Sequence, residues 1–144
     1  MKMKFWERLV FILRRKVGII LLLLILILAG GYFYLDHLGK EAGKMEVEDI
    51  EFSAIEDGAY YGNYTIGPVR VETNTVIKDG KIVEIQLIDH MNGLGEKGEQ
   101  VIPSIVESQS LKVDTITGAT GSSMAIIKSV EESLQGKENK KILG

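Results

Sequence analysis

Hydrophobic and polar positions fall into three successive patterns along the chain. From Val17 to Leu35 the run VGIILLLLILILAGGYFYL carries no charge. About 20 apolar residues suffice for a helix to cross the hydrocarbon core of a bilayer, so this run predicts a transmembrane helix. A buried core helix would show a polar face, and this segment has none. A cleaved signal peptide usually has a shorter apolar part, although Ala29, Gly30 and Gly31 supply the small residues that cleavage needs. The second pattern is alternation. Val69, Val71, Thr73, Thr75 and Ile77 interleave with Arg70, Glu72, Asn74 and Lys78, the period of a half-buried strand. Asp79-Gly80 follows as a hairpin turn signal. A return strand, Ile82 to Ile88, is expected to place Val83, Ile85 and Leu87 on one face. Upstream, AYYGNYTIG reads as one strand or two short ones. The third pattern has helical spacing. EQVIPSIVESQS predicts a short helix with Pro103 in or near its first turn. Met124, Ile127, Val130 and Leu134 predict a longer helix starting near Met124 and stopping at Gly136.

Strands followed by helices give an α+β expectation: a small antiparallel sheet with flanking helices, preceded by one transmembrane helix. The expected segments are a basic leader (1–16), the span (17–35), a polar stalk (36–56), the folded domain (57–136) and a polar tail (137–144). No internal repeat is visible.

Charge changes this picture by giving it an orientation. Lys2, Lys4, Arg8, Arg14, Arg15 and Lys16 precede the span, opposed only by Glu7, whereas LGKEAGKMEVEDIE follows it. Basic flanks are retained in the cytoplasm, so the N-terminus is expected inside and the domain outside the cell membrane. Phe5, Trp6, Leu9, Val10, Phe11 and Leu13 interleave with the cations, which suits contact with the membrane surface. The net charge of −3 conceals a basic leader and an acidic remainder. An acidic exterior argues against nucleic acid, whose binding depends on neutralising phosphates. With no cysteine in the chain, disulfides, a thiolate nucleophile and thiolate metal sites are excluded.

Candidate chemistry narrows quickly. Gly93-Leu-Gly-Glu-Lys-Gly98 matches G-x-G-x-x-G, but it follows a hairpin and no second parallel strand supplies a ribose-binding acid. Only His90 could serve as a base in the domain, and there is no G-x-S-x-G elbow. One histidine with scattered carboxylates has no metal-ligand spacing. His90 is by itself a strand-end packing or hydrogen-bonding residue. What remains is DTITGATGSS, Asp114 to Ser123. Ser122 or Ser123 could cap the following helix, with Gly118 supplying an unusual backbone angle. Alternatively, amides at a helix start with hydroxyls beside them form an anion site suited to a phosphate.

Asp114-x-x-Thr117-Gly118-Ala119-Thr120 resembles the D-x-x-[ST]-G-A-T signature of FMN-binding domains. That family includes the C subunit of the sodium-translocating NADH:quinone reductase and the G subunit of the ferredoxin-dependent complex. The resemblance extends over DGAYYG, KDGKIVEI, His90 with the glycines after it, QSLKVD and GATGSS. It implies FMN joined through its phosphate to Thr120 by a flavin transferase. Thr117, Gly118 and Ala119 would let the backbone approach the phosphate, Ser122 and Ser123 would donate to it, and Asp114 would order the backbone or be recognised by the transferase. His90 joins the cofactor-binding candidates, and neither a catalytic residue nor a metal ligand is expected. HMNGLGEKG departs from the E-T-P-G-L-G segment of the larger respiratory subunits, and the chain is shorter than they are. The resulting expectation is a membrane-anchored, extracytoplasmic carrier that relays electrons between membrane or extracytoplasmic redox partners. The alternatives are a flavin-dependent reductase of a small substrate and a cofactor-free binding module on the same fold.

Overall fold

The computed structural model describes residues 2–48, 50–91 and 96–136. The glycines at 93 and 95, and with them part of the expected loop at 92–98, lie outside the described residues, as does the tail 137–144. The chain forms two compact units, residues 1–37 and residues 38–144.

Helix α1 (Lys2–Ala42) begins in the first unit and ends in the second, running without a break through both the leader and the apolar run. Its large apolar side chains, Val17 through Leu28 among them, are exposed. This helix is long and apolar enough to cross a membrane.

The second unit is α+β. Strands β1 (Gly58–Ile66), β2 (Val69–Lys78) and β3 (Lys81–Met91) form an antiparallel sheet in the order β1-β2-β3. Two helices complete it: α2 (Val101–Ser108), with Pro103 in its first turn, and α3 (Thr120–Gln135). One face of the sheet carries Val71, Thr73, Thr75 and Ile77 of β2, all buried, and α3 lies across that face. Ser129 Oγ is 2.8 Å from Thr73 Oγ1, and Ser133 Oγ donates to Thr75 Oγ1 at 3.1 Å. These four hydroxyls are buried, and pairing removes the penalty of isolating them from water. Helix and β2 therefore advance in the same direction, which puts the α3 N-terminus at the end of the sheet where β2 begins and β3 finishes.

Three differences from the sequence expectation have physical causes. First, β3 has two bulges opposite β2, because Val76 pairs with Glu84 while Ile77 pairs with Ile82, and Glu72 pairs with Asp89 while Thr73 pairs with Leu87. The extra residues are Val83 and Ile88. A bulge inverts the side-chain alternation beyond it, so Ile82 and Ile85 face the core while Val83 and Ile88 are exposed. Gln109 then pairs with Ile82 as a strand would: its Oε1 accepts from Ile82 N at 2.9 Å and its Nε2 donates to Ile82 O at 2.8 Å.

Second, the expected stalk at 36–56 does not stand apart from the domain. Ala42 and Phe52 are core residues, and Met45, Val47, Ile50 and Ile55 pack against the core. Glu131 on α3 is 1% exposed and accepts from Glu48 N at 2.6 Å. It also pairs with Lys128, whose Nζ donates to Glu46 O at 3.1 Å. A buried carboxylate held by a cation and a backbone amide is a satisfied one. Residues 44–48 thus strap α3 on the side away from the sheet.

Third, α3 starts at Thr120 and not near Met124. With a sheet on one side and the strap on the other, its buried residues extend well beyond the expected stripe to Ala125, Ile126, Ser129 and Ser133.

The approach of α3 to the sheet depends on Gly62. A Cβ there would lie 2.0 Å from Ser129 O and 2.8 Å from Ser133 Cβ and N, distances no packed atoms adopt. Gly62→Ala should therefore lift α3 and cost roughly 3 kcal/mol. Asn63→Ala, on the exposed neighbour, should change stability by less than about 0.5 kcal/mol. Thermal melts of the full chain in detergent would show it, and equal melting of the two variants would contradict the packing.

Candidate functional site

Four segments meet around the N-terminal turn of α3. The first is the stretch leading into it. Ala119 N donates to Ile116 O at 2.9 Å, closing a turn in which Gly118 has φ +81°. Positive φ at the third position is what a type II turn requires, and glycine adopts it without steric cost. Ser123 then reaches back, its Oγ accepting from Ile116 N at 3.1 Å. The turn is thus closed at one end by backbone and at the other by a serine inside the helix.

This corrects the capping role considered for Ser122 and Ser123. Ala119 occupies the cap position with φ −138°, and no side chain caps the helix. The first intrahelical bond runs from Ser123 N to Ala119 O at 2.9 Å. The amides of Thr120, Gly121 and Ser122 therefore have no intrahelical acceptor, as the first turn of any helix dictates.

The second segment is the short 3-10 helix Glu96–Gln100. Gly98 is buried against the first turn of α3: a Cβ there would lie 2.6 Å from Ser122 Cβ and 2.9 Å from Ser123 N. Glu99, the next residue, has Oε1 2.8 Å from His90 Nδ1. His90 belongs to the third segment, the end of β3. It pairs with Val71 because the bulge at Ile88 turns it to the inner face, and its side chain is 5% exposed. The fourth segment is the turn after α1. Gly43 lies so close that a Cβ on it would be 3.4 Å from Thr120 Cγ2.

The hydroxyls of the stretch differ sharply in what they can do. Thr117 is exposed on the turn. Ser122 is 4% exposed and Ser123 0%, the latter already bonded to Ile116 N. Thr120 is half-buried at the first helical position, and its hydroxyl makes no hydrogen bond among the described residues. Asp114 is exposed, two residues before the turn begins at Ile116. Thr117, Gly118, Ala119, Thr120, Ser122, Ser123 and His90 are thus brought to one end of the sheet. Tyr61 is not among them, since it pairs with Asn74 on the face away from α3. Burial and then hydrogen bonding to Glu72 push its phenol above the ordinary range, with Arg70 opposing. Glu99 is the contributor that sequence reasoning missed, because only the fold brings it to His90.

With this geometry in place, comparison with known proteins is informative. Residues 66–135 match the family model described as FMN-binding domain, and the match supports assigning the domain to that family. Neither a curated protein nor a solved structure matches the chain. The family match supports FMN as the cofactor, and the site has room for its phosphate. Among the described residues, a Cβ placed on Gly118 or Gly121 would meet no atom within 4 Å, so these residues leave the surface on either side of Thr120 open. Among the described residues no group of acids or histidines could hold a metal ion.

The two open glycines should respond oppositely to alanine. At Gly118 the positive φ makes a Cβ costly, by about 1 kcal/mol. At Gly121, inside the helix, alanine should stabilise by about 0.5–1 kcal/mol. Melting curves of the two variants would settle the signs. A stabilising Gly118→Ala would contradict the turn, and a destabilising Gly121→Ala would contradict the open surface.

Proposed function

We propose that this chain is a membrane-anchored flavoprotein that carries FMN joined through its phosphate to Thr120, outside the cytoplasm, and relays electrons. The observation carrying the reading is Thr120 itself. It is the last residue of D-x-x-T-G-A-T, it opens α3 with a hydroxyl that makes no hydrogen bond among the described residues, and it lies within the segment matching the FMN-binding domain family.

Joining a phosphate to a threonine by loss of water is unfavourable in water, so an activated donor is needed. A flavin dinucleotide, acted on by a flavin transferase, supplies one. Thr120 Oγ1 forms the new P–O bond, the P–O–P link breaks, AMP leaves, and the hydroxyl proton passes to a base of the transferase or to solvent. Thr117, Gly118 and Ala119 keep large side chains away from that phosphorus. The amides of Thr120, Gly121 and Ser122 face it with the positive end of the helix dipole. Asp114, exposed ahead of the turn, suits recognition by the transferase better than contact with a phosphate it would repel. His90, held by Glu99, orders the adjoining end of β3.

Bound there, FMN supplies reversible electron transfer. The chain's contribution is attachment, and a phosphate tether keeps the cofactor from diffusing away outside the cell. The exterior location is supported by the cations before the apolar run, which favour a cytoplasmic N-terminus. Relay is supported by the tether together with a helix able to hold the domain beside membrane dehydrogenases or quinol-linked systems.

Co-expressed with a flavin transferase, the full chain should gain the mass of FMN less one water. Thr120→Ala should lose that adduct while melting as the parent does. In membranes, a respiratory donor should bleach the flavin absorbance of the parent and a second partner should restore it. An adduct retained in Thr120→Ala would refute the attachment. A flavin inert to membrane donors but turning over with one soluble metabolite would refute the relay.

A further inference from the structure

The glycine beside Thr120 has no conformational reason to be one. The glycines of positive φ among the described residues are Gly67, Gly80, Gly118 and Gly136, and Gly43 is not one of them. Its backbone is an ordinary helix exit. Gly43 N donates to Gly39 O at 2.9 Å, and the next two amides follow with Lys44 N to Glu41 O and Met45 N to Ala42 O, each 3.1 Å. Any residue could make those bonds. The exit is also held firmly, because Ala42 is fully buried in the core and Met45 packs against it.

What distinguishes position 43 is the space beside it. A Cβ there would touch Thr120 Cγ2 at 3.4 Å, Gly39 O at 3.5 Å and Lys40 O at 3.7 Å. The site would admit one methyl group in ordinary contact, and a branched side chain would press on the Thr120 methyl. In threonine the methyl and the hydroxyl share one Cβ, so fixing the first aims the second. Threonine divides between two χ1 wells in helices, because its hydroxyl can bond a carbonyl of the preceding turn. At the first helical position no such preceding turn exists, and the packing of the methyl decides.

We infer that Gly43 is a positioning residue for flavin attachment: by seating the Thr120 methyl it directs Oγ1 outward to the incoming phosphorus. This rests on Thr120 being the attachment site. It adds a constraint from the segment that leaves α1, far in sequence from the motif. It also makes the threonine methyl functional, which distinguishes threonine from serine at position 120.

The test is a double-mutant comparison in the full chain in membranes, with purified flavin transferase and flavin adenine dinucleotide. The readout is the initial rate of adduct formation by intact mass. Gly43→Ala should load within about twofold of the parent, as ordinary contact allows. Gly43→Ile should slow loading on the order of 10- to 100-fold, the scale on which misplacing a reacting atom by about 1 Å acts. Thr120→Ser should slow it a few-fold, having no methyl to seat. In Gly43→Ile/Thr120→Ser the crowding is relieved, so loading should return to the level of Thr120→Ser alone. A turn damaged by isoleucine in some other way would not be rescued by removing a methyl 77 positions away. Should Gly43→Ile melt below the assay temperature, Gly43→Val carries the same comparison. An equal loss from isoleucine with and without the Thr120→Ser substitution, or no loss at all, would overturn the inference. A parent chain that loads at a residue other than Thr120 would overturn the attachment reading first, and this one with it.

Discussion

The second unit is organised by the approach of α3 to the bare backbone of β1 at Gly62. A Cβ at that position would lie 2.0 Å from Ser129 O, so helix and strand touch main chain to main chain. So close an approach needs small residues on the helix, and Ser129 and Ser133 provide them. Their hydroxyls then need partners, which Thr73 and Thr75 supply. The hydroxyl pairs fix where α3 sits along β2, and so where its first turn falls relative to the ends of the strands. That first turn carries Thr120. The depth of the sheet–helix contact and the location of the candidate attachment site are one constraint seen at two ends.

The opposite side of α3 shows the complementary requirement. Glu131 accepts from Glu48 N and pairs with Lys128, whose Nζ donates to Glu46 O, and these contacts hold residues 44–48 across the helix. This strap begins one residue after Gly43, where an added Cβ would lie 3.4 Å from Thr120 Cγ2. The exit from α1, the strap and the first turn of α3 are therefore neighbours in the fold.

Much of this was legible in the residues because local rules governed it. The β2 alternation from Val69 to Ile77 has a period that only a half-buried strand satisfies, and Asp79-Gly80 marked its turn. Gly136 stops α3 with φ +76° as its position implied. Where expectation and structure part, the cause is nonlocal. Nothing between Ile82 and Ile88 announces two bulges, since Val83 and Ile88 are as apolar as the residues that face the core. Ser122 and Ser123 resemble caps until Ser123 is seen to hold Ile116 N. The 36–56 segment reads as polar because its charged residues outnumber its apolar ones, yet Ala42 and Phe52 are in the core. Of the site, the motif was visible and its surroundings were not: Gly43, Gly98 and Glu99 come from separate segments that only the fold assembles.

The central claim is that this assembly presents the Thr120 hydroxyl, at the start of α3, for attachment. Fragmentation mass spectrometry of the flavin-bearing peptide, from full-length protein produced with a flavin transferase, tests it most directly. Fragments should place the added FMN on Thr120 alone, since Thr117 lies outside the helix start and Ser122 and Ser123 are buried within it. Flavin on Thr117, Ser122 or Ser123, or a peptide that carries none, would contradict the account.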